Sequence, residues 1–201
     1  MKDSRFSVSV GAILLGALLY SAASFTQLAA LLAPIIVHEL GHIVMLRLFG
    51  LRIRRFSADL RGFCIEYAGA CGALGHAASA FAGPAAGLAY AFAASYFGSR
   101  DGNDVLLLSA GVSLLLSLFN LLPALPLDGG RIFSCAASSL LGGRRGDSLT
   151  RAVGLVTASA LLAAGTAAMF RGRGPALAIA AVWLLAAQPD RDALVKRKEL
   201  L

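Results

Sequence analysis

Long apolar runs, separated by short polar stretches, dominate the chain. A helix needs about 20 apolar residues to cross a bilayer. Six runs approach or reach that length: 6–24, 27–49, 74–97, 105–122, 149–170 and 175–187. A further apolar run, 132–141, follows a stretch that contains Pro123 and Pro126. The pattern predicts an all-α polytopic membrane protein with about six transmembrane helices, the last of them short for a full crossing.

Residues 51–67 follow a different pattern. Apolar and basic side chains alternate loosely there, which predicts a short β-hairpin at the membrane surface, between the second and third spans. The whole chain, 1–201, is predicted to be one transmembrane domain. Its core is 27–141, its accessory helices are 148–188 and its cytosolic tail is 190–201.

Composition agrees with a membrane protein and excludes several other classes. Hydrophobic residues make up 58% of the chain and charged residues 14%, whereas soluble domains have about 45–50% and about 25%. The 22 glycines show no collagen-like period. Cys64, Cys71 and Cys135 form no CxxC pair, so we interpret them as small packing residues rather than a disulfide framework.

The net charge of +7 indicates membrane topology rather than nucleic-acid binding. The cations lie between apolar runs, as they do in the cytosolic loops of membrane proteins. With six spans and a cytosolic N-terminus, only Arg100, Arg171 and Arg173 among the 18 Lys and Arg residues fall outside the cytosol. Both termini are therefore predicted to be cytosolic, with no nucleic-acid partner. The first run has signal-peptide features, but an uncleaved anchor is favoured because apolar sequence resumes directly after it.

The second run contains the pattern HExxH at His38, Glu39 and His42. Residues four apart share one helix face, so both imidazoles can bind one Zn²⁺, and Glu39 can accept a proton from water at that metal. Such residues are costly in an apolar span without a shared partner. A metal centre is therefore predicted here.

A third protein ligand is needed, and the chain offers two candidates. His76 lies near the start of the third span, where an interfacial histidine is the simpler interpretation. Asp128 follows a broken helix, whose freed polar groups can line a cavity. Asp128 has the stronger case, although it could instead cap the helix that begins near Gly129.

Three stretches together resemble the site-2 protease family of intramembrane zinc metalloproteases. They are His38-Glu39-Leu40-Gly41-His42, the run from Phe119 to Arg131 with its Leu127-Asp128-Gly129-Gly130, and Gly83-Pro84. The sequences of these stretches are most similar to those of the branch that contains a sporulation sigma-factor-processing protease. Unlike many relatives, this chain is expected to have neither a CBS nor a PDZ domain.

The resemblance implies specific roles. His38, His42 and Asp128 would bind one Zn²⁺ per chain, Glu39 would be the general base and acid, and Asn120 would lie near the substrate backbone. For Asn120, polar contact between helices is the alternative. The surface strands would offer an edge to which a peptide adds.

The implied function is hydrolysis of a membrane-anchored or membrane-associated protein near the cytosolic side. The product would be a cytosolic regulator such as a transcription factor. We expect a multi-pass protein of a bacterial cell membrane, with the lipid bilayer and a regulatory membrane protein as further partners. The alternatives are a catalytically silent zinc-binding scaffold and a metal transporter, the latter disfavoured because repeated halves are not evident.

Overall fold

The structure is a computed structural model that describes residues 6–8, 24–59, 62–68 and 72–188. Within these residues it has six helices and three strands. The strands are β1 (Phe6–Val8), β2 (Arg52–Asp59) and β3 (Gly62–Ala68). The helices are α1 (Phe25–Leu48), α2 (Ala73–Asp101), α3 (Asp104–Asn120), α4 (Asp128–Leu141), α5 (Gly143–Phe170) and α6 (Ala176–Ala186).

Five predicted apolar runs correspond to α1, α2, α3, α5 and α6, and the run 132–141 lies in α4, which begins earlier, at Asp128. The first predicted span is wrong at its start, because Phe6–Val8 forms β1 and pairs with β2. The rest of that span before Ser24 lies outside the described residues, as does the predicted tail 190–201.

The strands form one sheet in the order β1-β2-β3. The strand β2 pairs antiparallel with β3, with Phe56 opposite Ile65, and β1 pairs parallel with β2, with Phe6 opposite Phe56. A register shift lies between Ile53 and Arg55. The β2–β3 pair falls between α1 and α2 in the chain, in the segment where the alternating pattern occurs.

Among the described residues, three helices are long and apolar enough to cross a bilayer: α1, α2 and α5. The apolar helices α3 and α6 are shorter. The chain is thus an integral membrane protein, and the count of six spans stays a prediction.

The chain divides into two compact units. The first comprises Met1–Gly75 and Ala82–Leu118, and the second comprises His76–Phe81 and Phe119–Leu201.

In the first unit, α1 has two opposite stripes. The buried residues recur every four positions: Ala30, Pro34, His38, His42 and Leu46. The exposed stripe has the same spacing and is wholly apolar: Leu32, Ile36, Leu40, Val44 and Leu48. In lipid the outward face can be apolar throughout, so the polar side chains face the protein. The helix begins at a capping box in which Ser24 and Gln27 exchange hydrogen bonds.

The helices α2 and α3 of the same unit pack through hydroxyl groups and glycine. Ser109, Ser113 and Ser117 form a fully buried stripe on α3. Ser113 Oγ donates to the Gly87 carbonyl over 2.8 Å, and Ser109 shares a 2.7 Å hydrogen bond with Tyr90. Ser117 Oγ has no hydrogen-bond partner among the described residues and lies directly against Gly87. Small residues thus let the two backbones approach, as is usual between helices in lipid.

In the second unit, α5 packs against both of its neighbours through glycines. Gly146 lies against the backbone of Ser138 in α4, and Gly165 lies against that of Ala178 in α6. The segment 121–127, which we call the linker, joins α3 to α4. It packs against α5 and α6. A buried cluster combines linker residues with one residue each of α5 and α6: Ala124, Leu127, Ala158 and Leu184.

The Gly87–Ser117 contact predicts a size-compensation effect on stability. A Cβ at Gly87 would overlap Ser117 Oγ, whereas the next neighbours would be 3.5 and 3.6 Å away. Gly87→Ala should therefore destabilise the protein by about 1–3 kcal/mol, as overpacking does. Ser117→Ala should be nearly neutral, because its hydroxyl is unsatisfied.

The double variant Gly87→Ala/Ser117→Ala should recover most of the lost stability, measured by unfolding in detergent micelles. Additive effects of the two changes would show that this contact does not limit the packing of α2 against α3.

Candidate metal centre

The helix α1 places His38 and His42 one turn apart on its buried stripe. Their Nε2 atoms are 3.2 Å apart, and the ring planes meet at 80° with centroids 4.9 Å apart. Two nitrogens bound to one tetrahedral zinc would be roughly 3.3 Å apart, given zinc–nitrogen bonds of about 2.0–2.1 Å. The spacing of the two rings therefore suits joint ligation of one zinc ion.

The backbone of α2 lies against these histidines because both helices lack side chains at the contact. A Cβ at Gly83 would overlap Nε2 of His42, and a Cβ at Gly41 would come 2.5 Å from the Ala82 carbonyl oxygen. Gly83 thus leaves room for the imidazole at its ligating edge, and Gly41 lets α1 approach α2. Both contacts lie within the first unit.

Glu39 follows His38 directly and is half-buried. Its side chain is rotated by about 100° from that of His38 around α1. The helix thus carries the two imidazoles on one face, with the carboxyl group beside them. This is the arrangement in which a carboxylate can exchange protons with a molecule at the metal.

Asp128 is the first residue of α4 and is buried. The N-cap of α4 is Leu127, with no side-chain capping bond, so Asp128 does not serve as the N-cap. A Cβ at Gly129 would overlap the Leu121 carbonyl, so this glycine allows the helix start to lie against the linker. The half-exposed Arg131 places Nη1 3.6 Å from a carboxylate oxygen of Asp128.

Within the described residues, one group of side chains could hold a metal ion: His38, His42 and Asp128. One ligand atom from each lies within 4.8 Å of the others, and all three residues are buried. Two imidazoles and a carboxylate are a donor set of catalytic zinc sites. His76, the other candidate ligand, lies in the first turn of α2 and is not in this group.

Asn120 is the last residue of α3 and is half-buried. It therefore occupies a helix end next to the linker, rather than the helix interior that contact between spans would favour. The position of Gly83 against His42 was not predicted, although Gly83-Pro84 was noted in the sequence. The sequence analysis did not predict a role for Gln188, whose amide donates to the linker. The only local sign of this contact is a polar amide directly after an apolar run.

The chain is similar in sequence to known peptidases. The sequence profile of peptidase family M50 matches residues 101–164. A Mycobacterium tuberculosis protein named "Putative zinc metalloprotease Rip3" is 34% identical over 187 residues, which cover 85% of this chain and 47% of that protein. "Putative zinc metalloprotease sll0528" of Synechocystis is 30% identical over 118 residues, or 56% of this chain and 31% of that protein. The chain thus spans about half or less of these relatives.

The fold is also similar to that of a solved structure. It is the site-2 protease from Methanocaldococcus jannaschii, with a TM-score of 0.68 and 19% identity. The alignment covers 93% of this chain and 91% of that chain. At this identity the similarity concerns the fold.

The contact between Gly83 and His42 predicts an effect on metal binding. Gly83→Ala would place a methyl group against Nε2 of His42, so the ring must leave its present position. We expect about a tenfold or greater loss of zinc affinity, measured by competition with a chelator in detergent.

Gly111→Ala is the matched control, because a Cβ at Gly111 in α3 meets no atom within 4 Å. Its zinc affinity should equal that of the wild type. Equal affinity in Gly83→Ala would show that Gly83 does not determine the position of the ring.

Proposed function

The chain belongs to the site-2 protease family, peptidase family M50, and we propose that it is an intramembrane zinc endopeptidase that cuts membrane-anchored or membrane-associated proteins. The observation that carries this proposal is the group of His38, His42 and Asp128, buried in an apolar protein, with Glu39 adjacent in sequence. Polar residues in such surroundings are costly unless they share a partner, and a divalent cation is the partner that suits them.

His38, His42 and Asp128 would hold one Zn²⁺ per chain. When bound, this ion polarises the scissile carbonyl and makes water a better nucleophile. The carboxylate of Glu39 accepts a proton from the attacking water and later donates it to the leaving amine. Asn120, at the end of α3, would use its amide to hold the substrate backbone or the developing oxyanion.

The proposed substrate is a helix that must first unwind, because its carbonyls are otherwise hydrogen-bonded. In the order β1-β2-β3, the strand β3 is an edge of the sheet, and a peptide could add there in extended form. The excess of Lys and Arg on one side of the spans supports cytosolic termini. Cleavage near that side would release a cytosolic regulator such as a transcription factor, as in the sporulation branch of the family.

The role of Glu39 predicts a separation of metal binding from cleavage. Glu39→Gln keeps the size of the side chain but removes the proton acceptor, so cleavage should fall by at least about 100-fold while zinc content stays unchanged. Cells that produce either form should be compared for membrane-retained proteins and for new peptide termini within membrane spans. Termini that depend on the wild type would identify the substrates.

Asp128→Asn provides the complementary variant, since it should lower zinc content as well as cleavage. Unchanged cleavage in Glu39→Gln would reject the catalytic assignment, and unchanged zinc content in Asp128→Asn would remove Asp128 from the ligands. Zinc binding by the wild type without any dependent cleavage would favour the silent scaffold instead.

The role of Asn120 predicts a loss of cleavage without loss of metal. Asn120→Ala should slow cleavage of a substrate found in this way by about tenfold, the effect of one lost hydrogen bond of about 1.4 kcal/mol. Zinc content should not change. Asn103→Ala is the control: Asn103 caps the other end of α3 through Val105 and Leu106 and should leave the rate unchanged. An Asn120→Ala rate equal to that of the wild type would exclude substrate contact.

A further inference from the structure

The linker before Asp128 is a non-helical segment to which a distant side chain donates a hydrogen bond. Helical backbone satisfies its own polar groups in a membrane, whereas a broken segment needs donors from elsewhere. Gln188 supplies one: its Nε2 donates to the Leu125 carbonyl over 2.7 Å, across 63 positions of the chain. Both residues lie in the second unit, and Leu125 is buried.

The oxygen end of the Gln188 amide is closely packed. Its Oε1 is buried and has no hydrogen-bond partner in the part of the chain that the structure describes. This oxygen lies against Gly154 of α5, where a Cβ would come 2.8 Å from it. The missing side chain at Gly154 therefore gives the amide the room in which its NH₂ group reaches the linker.

The packing around Leu125 links the Gln188 hydrogen bond to the position of Asp128. Ala124 directly precedes Leu125 and Leu127 follows it two positions later, and both belong to the buried cluster with Ala158 and Leu184. Leu127 N also donates to the Ala124 carbonyl over 2.9 Å, which closes the turn that leads into α4. Asp128 follows immediately, so a shift of Leu125 moves the start of the helix that carries the carboxylate.

We propose that Gln188 is a positioning residue for the metal centre, fixing the linker and thereby the carboxylate of Asp128. The helix α5, through Gly154, and the segment that follows α6, through Gln188, would then take part in metal binding. This inference rests on the metal site of the proposed function.

The test measures the affinity of the full-length chain for Zn²⁺ alone. Gln188→Met keeps the length of the side chain but has no donor, and Gly154→Ala displaces the amide from the opposite side. Both should raise the dissociation constant for zinc about tenfold, as the loss of partners that orient ligands does. Measurements use the metal-free protein in detergent, with chelator competition, and unfolding temperature recorded on the same samples.

Thr150→Val is the matched control in the same unit. Thr150 Oγ1 is buried and donates to the Gly146 carbonyl over 2.8 Å, so this variant also loses one buried side-chain hydrogen bond. It should lower the unfolding temperature of the metal-free protein about as much as Gln188→Met, with zinc affinity unchanged. Wild-type affinity in Gln188→Met and Gly154→Ala, or an equal loss in Thr150→Val, would overturn the proposal. Failure of the wild type to bind zinc would instead reject the proposed function, and this inference with it.

Discussion

The cost of placing imidazole and carboxylate groups in an apolar membrane helix is the constraint on which this structure depends. Neither lipid nor neighbouring alkyl groups can hydrogen-bond His38, Glu39 or His42, so these residues need partners inside the protein. The buried stripe of α1 turns both imidazoles inward while the apolar stripe faces outward. The same requirement acts on Asp128, which is buried although it begins a helix.

Small residues make this arrangement possible. In lipid, apolar surface gives little drive for helices to associate, so close backbone approach and hydrogen bonds take over. Gly83 lies against His42, Gly87 against Ser117, and Gly129 against the linker carbonyls. At each position a methyl group would overlap its neighbour, so the glycines fix how closely the helices pack and how much room the polar residues have.

The sequence predicted what depends on local spacing. The four-residue interval placed His38 and His42 on one face, and the apolar runs located α1, α2, α3, α5 and α6. Helix propensity and hydropathy, however, describe single segments. They could not show that Phe6–Val8 pairs with β2, because a tertiary partner decides strand formation in so short a run. The contact of Gln188 with Leu125 likewise joins positions 63 residues apart and has no local signature.

The buried prolines have a mechanical consequence. Pro34 and Pro84 lie inside α1 and α2, one turn before His38 and directly after Gly83. Proline has no N–H, so the carbonyls of Ala30 and Ala80 lose the usual helical donor four residues later. Each helix lacks one backbone hydrogen bond close to the candidate metal ligands and bends most easily there. A small change of bend at either proline would therefore shift His38 and His42, or the Gly83 backbone that contacts His42, within the first unit.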